Sequence, residues 1–319
     1  MHYQNDTLAI CFSEYALSKI DDQDTRSIYK YALELSETHV EKIKEFFTSE
    51  GFPIPHGFSN EDVNLEAPRL YSDEFLLNYM YIMSLHGLTG YAVSLSTSSR
   101  PDIRKYYQEC TIQTMKLHEK VLGVMQSKGL YTRPPYINPD EMVEFVLREN
   151  FITGWLGERR PLNAIEIANI TFNMNKMNLG KALVLGFSQV ANTSDVRDYM
   201  VRGTKISTKH TEVFDSLFRE DNLNTPISWD STVTNSTESP FSDRFLLFHT
   251  NVLTSAAVGF YGASLAVCMR KDLSVQYVRL IEELMDYAKD GIDIMIKYCW
   301  MEKPPTADDR DKIAQKSPR

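Results

Sequence analysis

Apolar side chains recur along most of the chain at alternating steps of three and four residues, which puts them on one face of an α-helix. Two such stripes lie within residues 25–49 and 102–128. The first contains Ile28, Ala32, Leu35, His39, Ile43 and Phe46, and the second contains Ile103, Tyr107, Cys110, Thr114, Leu117, Val121 and Val124. Because this alternation is typical of helices packed in bundles, the pattern predicts an all-α protein.

The first half of the chain divides into four predicted helices. They cover residues 6–20, 25–49, 72–98 and 102–128. The connections within each pair are short, whereas the linker 51–69 contains three prolines and cannot be helical for long. A linker of this length can run back along the bundle, which leaves the second and third helices parallel in the one-crossover topology of ferritin-like bundles. An up-down-up-down bundle is the alternative.

The second half of the chain repeats the first. Residues 241–305 match residues 71–135 without a gap, 170 positions later. The shared residues include Ser72/Ser242, Asp73/Asp243, Phe75/Phe245, Tyr91/Tyr261, Arg100/Arg270, Asp102/Asp272, Tyr107/Tyr277, Met115/Met285 and Pro134-Pro135/Pro304-Pro305. A match at a fixed offset indicates duplication, so we predict a tandem pair of four-helix bundles packed against each other.

Domain boundaries follow from this repeat. We predict a bundle over residues 1–137, a short helix and connector over 138–162, a second bundle over 163–305 and a disordered polar tail over 306–319. The short helix is expected to start at Asn138. The opening turns of the second bundle have no counterpart in the first, so either the start is trimmed or that end of the first bundle is open.

Charge and composition exclude some classes of partner. The net charge is -9 and the pI is about 5.4, which would repel nucleic acid and anionic membranes. The start of the chain lacks a signal-peptide pattern, and we find no apolar run long enough to span a bilayer. Four cysteines without CxxC spacing resemble reduced, buried side chains. A cytoplasmic location is therefore expected.

Ferritin-like bundles often hold two metal ions between carboxylates and Glu-x-x-His motifs. This chain contains no Glu-x-x-His motif, no local signature of a catalytic nucleophile and no phosphate-binding loop. The sequence therefore favours a protein that is not an enzyme and needs no cofactor, with iron, manganese or zinc as the metals to consider if one binds.

His39 and His210 are the most suggestive candidates for a site. They occupy equivalent positions on the inward face of the second helix of each repeat. One interpretation is a metal ligand or proton-handling group. The other, which we favour, is a buried neutral histidine that hydrogen-bonds a hydroxyl group, with Tyr91 and Tyr261 as the natural partners.

A second histidine pair, His86 and His118, is predicted at similar heights on the third and fourth helices. Together with His39 they would make a nitrogen-rich site suited to zinc. The second repeat has Ala256 and Ala288 at the corresponding positions, which argues against a shared metal site.

The third helix of each repeat is rich in glycine, which weakens a helix unless packing requires it. Close approach of another helix is the usual reason. The alternative is a cavity for a small apolar ligand, whose lining would include Gly87, Gly90, Tyr91, Gly259, Tyr261 and Gly262.

Several strings of the chain resemble a family of uncharacterised proteins from spore-forming Firmicutes. They are Phe52-Pro53-Ile54-Pro55-His56-Gly57-Phe58, Asp62-Val63-Asn64, Ala67-Pro68-Arg69-Leu70, Gly129-Leu130-Tyr131, Arg133-Pro134-Pro135-Tyr136-Ile137, Gly154-Trp155, Arg160-Pro161-Leu162-Asn163 and Leu179-Gly180-Lys181-Ala182-Leu183. The resemblance implies tandem ferritin-like bundles, distantly similar to the spore coat protein F family. It implies no activity and no catalytic residues.

The leading hypothesis from the sequence is a non-enzymatic structural or binding protein related to the spore coat, whose partners would be coat proteins or further copies of itself. The first alternative is a metal-binding or oxidoreductase protein with a degenerate histidine site. The second is a protein that binds a small apolar ligand in a bundle core.

Overall fold

The computed structural model describes residues 1–139, 141–147, 150–154 and 159–316. Its regular secondary structure is helical. The helices are α1 His2–Lys19, α2 Gln23–Ser49, α3 Asp73–Thr97, α4 Pro101–Ser127, α5 Asn150–Thr153, α6 Ala164–Val190, α7 Ser194–Glu220, α8 Asp243–Val267, α9 Lys271–Lys297 and α10 Arg310–Lys316. Helices α1–α4 and α6–α9 form two four-helix bundles in tandem, so the predicted all-α duplicated fold is confirmed.

Polar side chains mark where the long helices begin. Ser72 and Ser242 accept hydrogen bonds from the backbone N–H groups of Phe75 and Phe245 at the starts of α3 and α8. Asn163 and Glu166 form a capping box at the start of α6. These caps pair N–H groups that the helices leave unbonded.

Ion pairs between α2 and α4 establish the helix directions. Asp22 at the start of α2 contacts Lys128 after the end of α4 at 2.8 Å, and Glu50 after the end of α2 contacts Arg100 before α4 at 2.7 Å. Helices α2 and α4 are therefore antiparallel. Since the short turn before α4 also reverses the chain, α2 and α3 run parallel, as the one-crossover topology predicts.

The second bundle has the same arrangement. Asp195 near the start of α7 pairs with Lys297 at the end of α9, and Lys209 pairs with Glu283 at 2.8 Å nearer the middle of both helices. Exposed pairs of this kind contribute at most about 1 kcal/mol each. They report the helix directions rather than hold the bundle together.

The two long linkers join the bundles by a reciprocal exchange. Each linker makes one antiparallel bridge to the segment beside the other repeat's third helix, Val63 with Phe241 and Tyr71 with Val233. Four backbone hydrogen bonds accompany the bridges, in two pairs related by the 170-residue offset: Ser242 N to Asp62 O (3.0 Å) with Ser72 N to Thr232 O (3.0 Å), and Asn64 N to Pro240 O (2.8 Å) with Thr234 N to Leu70 O (2.9 Å).

Side chains continue this junction into a shared core. The Tyr71 hydroxyl donates to the Leu183 carbonyl at 2.7 Å, and a Cβ on Gly186 would lie 2.5 Å from that hydroxyl. Only glycine leaves room for the ring there. The Tyr79 hydroxyl lies 3.1 Å from His249 Nε2 of the other repeat. The bundles thus share one apolar core, as expected for repeats packed against each other.

Two local predictions differ from the structure. Residues 141–147 form no helix, and the short helix of the connector is α5 instead. Apolar residues in this stretch are exposed rather than buried on one helix face. The tail predicted to be disordered contains α10. Residues 155–158 of the predicted connector lie outside the described residues.

Among the described residues, α8 is long and apolar enough to span a membrane by length and composition alone. It is also a helix of the second bundle, with Phe245, Leu246 and Leu247 fully buried at its start. Its apolar run is interrupted by His249-Thr250-Asn251 and Thr254-Ser255, so the sequence alone does not mark it as a membrane span. The absence of a membrane partner stays a prediction.

We predict that Asp62→Ala weakens the junction between the bundles. The buried Asp62 carboxylate pairs with Arg244 at 2.6 Å and accepts hydrogen bonds from the Ser242 hydroxyl and the Ser59 N–H. Removing one member of such a pair should cost about 3 kcal/mol of unfolding free energy, measured by chemical denaturation. Thr232→Ala, at the repeat-related position, is the matched control and should cost about 1 kcal/mol or less. Equal losses would contradict the assigned role of the carboxylate.

Candidate functional site: a His-Asp-His cluster in the first bundle

Three potential metal ligands meet where α1 begins beside the middle of α2. His2 and Asp6 are four residues apart and share one face of α1, and His39 faces them from α2. Asp6 Oδ2 lies 2.7 Å from His2 Nε2 and 3.7 Å from His39 Nδ1. All three ligand atoms lie within 4.8 Å of one another. Among the described residues, this is the one group of three His, Cys, Asp or Glu side chains close enough to bind a single metal ion.

The cluster is shielded from water. The side chains of His2, Asp6 and His39 are 15%, 7% and 4% exposed. Although His2 Nε2 and Asp6 Oδ2 are close, their orientation does not satisfy hydrogen-bond geometry, and both atoms are buried without a hydrogen-bond partner. Buried polar atoms without partners are uncommon and call for an explanation such as an ion.

Gln113 on α4 orients the His39 ring. Its Oε1 atom lies 3.0 Å from His39 Nε2. An amide oxygen can only accept, so Nε2 carries the proton in this contact and Nδ1 is left facing Asp6. The Tyr91 hydroxyl is 3.5 Å from Nδ1. A histidine that ligates a metal through one ring nitrogen usually donates the other N–H to an outer oxygen, which is the arrangement here.

Tyrosine rings surround the His2 imidazole. The ring centroids of Tyr91, Tyr106 and Tyr107 lie 4.9, 5.7 and 5.5 Å from the His2 centroid. These rings exclude water from one side of the cluster and lower the local dielectric, which strengthens any charge interaction within it.

The Asp6 carboxylate and the His39 imidazole stabilise each other's charged forms. Burial alone would raise the pKa of Asp6, but His2 and His39 outweigh it and hold that pKa below its usual value. Burial would likewise lower the pKa of His39, yet contacts with Asp6 and Cys110 raise it to about 10. The site therefore offers a negative carboxylate and a histidine proton that a cation would displace.

The second bundle keeps one member of the cluster. His210 Nδ1 lies 3.2 Å from the Tyr261 hydroxyl, and His210 Nε2 lies 3.1 Å from Glu283, the counterpart of Gln113. Asn173 and Met177 occupy the positions that correspond to His2 and Asp6. An amide and a thioether replace the imidazole and the carboxylate, so the three-ligand group is specific to the first bundle.

The histidines predicted from the sequence separate into different environments. His39 lies beside the Tyr91 hydroxyl and His210 beside the Tyr261 hydroxyl, the partners expected from the sequence. The expected neutral form does not hold for His39, because its pKa is raised to about 10. His118 Nδ1 contacts the Ser84 hydroxyl at 2.9 Å, whereas His86 stacks on Phe260 of the second bundle at 5.5 Å. The two therefore have no common site with His39.

His2 and Asp6 escape the sequence analysis because helix α1 is predicted to start at residue 6. The structure starts it at His2, which brings the His2-x-x-x-Asp6 spacing onto one helix face. That spacing of four residues is the available signal.

The helical glycines serve different purposes. A Cβ on Gly87 would lie 3.1 Å from Thr114, which indicates close approach of α3 and α4. Gly90, Gly259 and Gly262 have open space where a Cβ would be. A cavity between the bundles lies instead beside Gly180 and Gly203.

A second polar cluster lies at that cavity, between the bundles. Lys176 on α6 is 8% exposed, and its Nζ has no hydrogen-bond partner. The Nζ atom lies 3.0 Å from the Phe260 ring centroid and 5.1 Å from that of Phe172. The Nε2 atom of His86, whose ring stacks on Phe260, is also buried without a partner.

Burial determines the charge of this lysine. Cation–π contacts stabilise an ammonium by about 0.5–2 kcal/mol, whereas burying an unpaired ion costs several kcal/mol. Because the cost of burial exceeds the cation–π stabilisation, the pKa of Lys176 falls to about 6. Burial also lowers the pKa of His86 to about 3, with Lys176 adding to the effect. Both groups are neutral at pH 7.

The fold and the His-Asp-His cluster define a duplicated helical-bundle protein with a buried candidate metal site. The chain belongs to a family described as "Protein of unknown function (DUF3231)", whose model matches residues 1–143 and 150–313. A solved structure from Bacillus halodurans, described provisionally as a spore coat protein, is similar with a TM-score of 0.44 and 11% identity. The similarity covers 47% of this chain and 98% of that one. The comparison with curated proteins gave no match.

We predict that Lys176→Met stabilises the protein by about 1–3 kcal/mol at pH 7, because it keeps an apolar chain and removes an amine buried without a partner. The gain should shrink as the pH rises from 6 toward about 10. In that range the unfolded lysine holds a proton that the folded one has lost, so the stability of the parent protein rises with pH. Denaturation at several pH values measures this difference. A gain that stays constant with pH would contradict a neutral buried amine.

Proposed function

We propose that the protein binds a divalent metal ion in its first bundle through His2 Nε2, Asp6 Oδ2 and His39 Nδ1. The observation that carries this proposal is the convergence of one ligand atom from each residue within 4.8 Å of one another, on largely buried side chains. The ligands of a tetrahedral ion bound at about 2 Å lie roughly 3.3 Å apart. The distances of 2.7 and 3.7 Å from Asp6 Oδ2 to the two histidines bracket this value, so shifts of side-chain rotamers suffice for binding.

The donor set favours zinc or ferrous iron. Two imidazoles and one carboxylate suit borderline metals, whereas calcium and magnesium prefer all-oxygen shells. Three protein ligands leave at least one coordination position for water or a small molecule. The Tyr91 hydroxyl, 3.5 Å from His39 Nδ1, is a further oxygen beside the site. The proposed site is therefore an open one, held on two rigid helices.

The proposal assigns one ion to each chain. The second bundle retains His210 but has Asn173 and Met177 in place of the other two ligands. Its histidine contacts Glu283, which is also engaged by Lys209 at 2.8 Å. This carboxylate already has a cationic partner, so it offers less to a metal.

We predict that untagged protein binds one equivalent of Co²⁺ or Zn²⁺ and that His39→Ala or Asp6→Asn weakens binding at least about 100-fold. Gln113→Ala should weaken it by about tenfold or more, since it orients a ligand without touching the metal. Calorimetry and the visible spectrum of Co²⁺ measure both effects.

His210→Ala is the matched control for this experiment, because it removes the equivalent histidine of the other bundle. It should leave the stoichiometry and affinity unchanged. Absence of stoichiometric binding, or an equal loss in His210→Ala, would reject the proposed site.

A second candidate function is self-association through α9, which develops the structural role expected from the sequence. Five apolar side chains on the outer face of α9 are between 39% and 59% exposed: Val275, Val278, Met285, Ile292 and Ile296. Together with Glu282 and Lys289 they follow the three-four spacing of a coiled-coil seam. The corresponding positions of α4 include Lys105, Gln108 and Gln126, so the stripe belongs to the second bundle alone.

The order of residues along the stripe matches a second copy running in the opposite direction. With a two-fold axis at Met285, Glu282 of one copy faces Lys289 of the other. Val278 then faces Ile292, and Val275 faces Ile296. Opposite charges and apolar pairs thus coincide in this one register. A location in the spore coat remains a prediction from the family resemblance.

We predict that Glu282→Lys and Lys289→Glu each abolish dimer formation, because like charges then face each other at two places. The double exchange should restore the dimer, since the opposite charges meet again in swapped positions. Sedimentation velocity over a range of concentrations measures the change, and Met115→Glu on α4 is the control that should leave the dimer intact. A parent protein that is monomeric at every concentration would refute this.

A further inference from the structure

The cavity beside Lys176 brings an unpaired amine and an unpaired imidazole together. It has a volume of about 60 Å³ and lies among α3, α6, α7, α8 and α9. One water molecule needs roughly 10–15 Å³ by the same measure, so the cavity has room for a small molecule. The Nζ of Lys176 and the Nε2 of His86 are buried without hydrogen-bond partners, and both residues line the cavity.

The walls of the cavity favour a neutral, apolar occupant over an anion. Apolar side chains form much of the lining, including Ile82, Leu179, Val184, Ile206, Leu253 and Leu284. The hydroxyls of Thr250 and Thr254 also line it, but they donate to the backbone carbonyls of Leu246 and Thr250. An anion would therefore lose its hydration with few donors in return.

We propose that Lys176 captures a short-chain aliphatic aldehyde or ketone as an imine in this cavity. The amine nitrogen attacks the carbonyl carbon and forms a carbinolamine. Loss of the former carbonyl oxygen as water, with two protons from the amine, then gives the C=N bond, so no oxidant or reductant is needed. In the tautomer that protonates Nε2, His86 donates a hydrogen bond to the carbonyl oxygen.

The chemistry of the amine agrees with this role. Burial lowers the pKa of Lys176 to about 6, so its nitrogen lone pair is free at neutral pH. Lysines are activated as imine-forming nucleophiles by this kind of desolvation. Burial alone lowers the pKa of Lys176, so no neighbouring cation is needed to activate the amine. The apolar walls of the cavity would contact the alkyl tail of the carbonyl compound. This site is separate from the metal cluster and independent of it.

The test is brief exposure of the whole protein to propanal and sodium cyanoborohydride at pH 7, followed by peptide mass mapping. The reductant fixes the imine as a stable secondary amine. Lys181 is the internal comparison, since it lies on the same helix and pairs with Asp230 at 2.6 Å. We expect Lys176 to be propylated at least about tenfold faster than Lys181, because burial keeps the Lys176 amine neutral and nucleophilic.

Two variants complete the test. Lys176→Met should lose the fast phase while the slow modification of surface lysines continues, and His86→Ala should slow the fast phase several-fold. Modification of Lys181 with Lys176 left unmodified would overturn the proposal. So would a fast phase that persists in Lys176→Met, because the reacting amine would then lie elsewhere.

Discussion

The reciprocal pairing of the two linkers determines how the rest of the molecule is arranged. Each linker bonds through its backbone to the segment that starts the other repeat's third helix. Because both linkers are anchored in this way, α3 of the first bundle lies against α6 of the second and the two cores merge. His86 reaches Phe260 and the Lys176 cavity only because the bundles are held in this position.

The same exchange explains how the two linkers can differ in sequence and still pair in the same way. The backbone bonds recur with the repeat, but the Asp62–Arg244 ion pair occurs on one side only, since Thr232 and Glu74 are the counterparts. Backbone pairing tolerates a change of side chain. The duplicated scaffold could therefore keep its shape while each bundle acquired its own polar groups.

His39 and His210 illustrate this divergence at one structural position. Each contacts a tyrosine hydroxyl and a side chain of the fourth helix, Gln113 or Glu283. Asp6 and Cys110 raise the pKa of His39, whereas burial lowers the pKa of His210 despite the contribution of Glu283. The difference arises because the Asp6 carboxylate is buried beside His39, while Glu283 is partly exposed and also pairs with Lys209.

The sequence predicted features that depend on periodicity, and failed where single contacts decide. The duplicated fold and the parallel direction of α2 and α3 followed from the spacing of apolar residues and from the length of the linker. The cluster at His2 depends on where α1 starts, and helix ends are the least certain part of such predictions. No pattern in the sequence identifies Lys176 as buried, since lysine side chains are normally exposed. Its burial depends on Phe172 and Phe260, which the other helices bring to it.

The two candidate sites share a physical property that a scaffold role alone does not explain. Each combines buried polar atoms without hydrogen-bond partners: His2 Nε2 with Asp6 Oδ2 in one, and Lys176 Nζ with His86 Nε2 in the other. A bundle core is more stable with apolar residues at such positions. A bound cation would satisfy the first pair and a carbonyl compound the second. The first site has a carboxylate that can balance a positive charge, whereas the second has only neutral walls. The first therefore suits a cation and the second a neutral molecule.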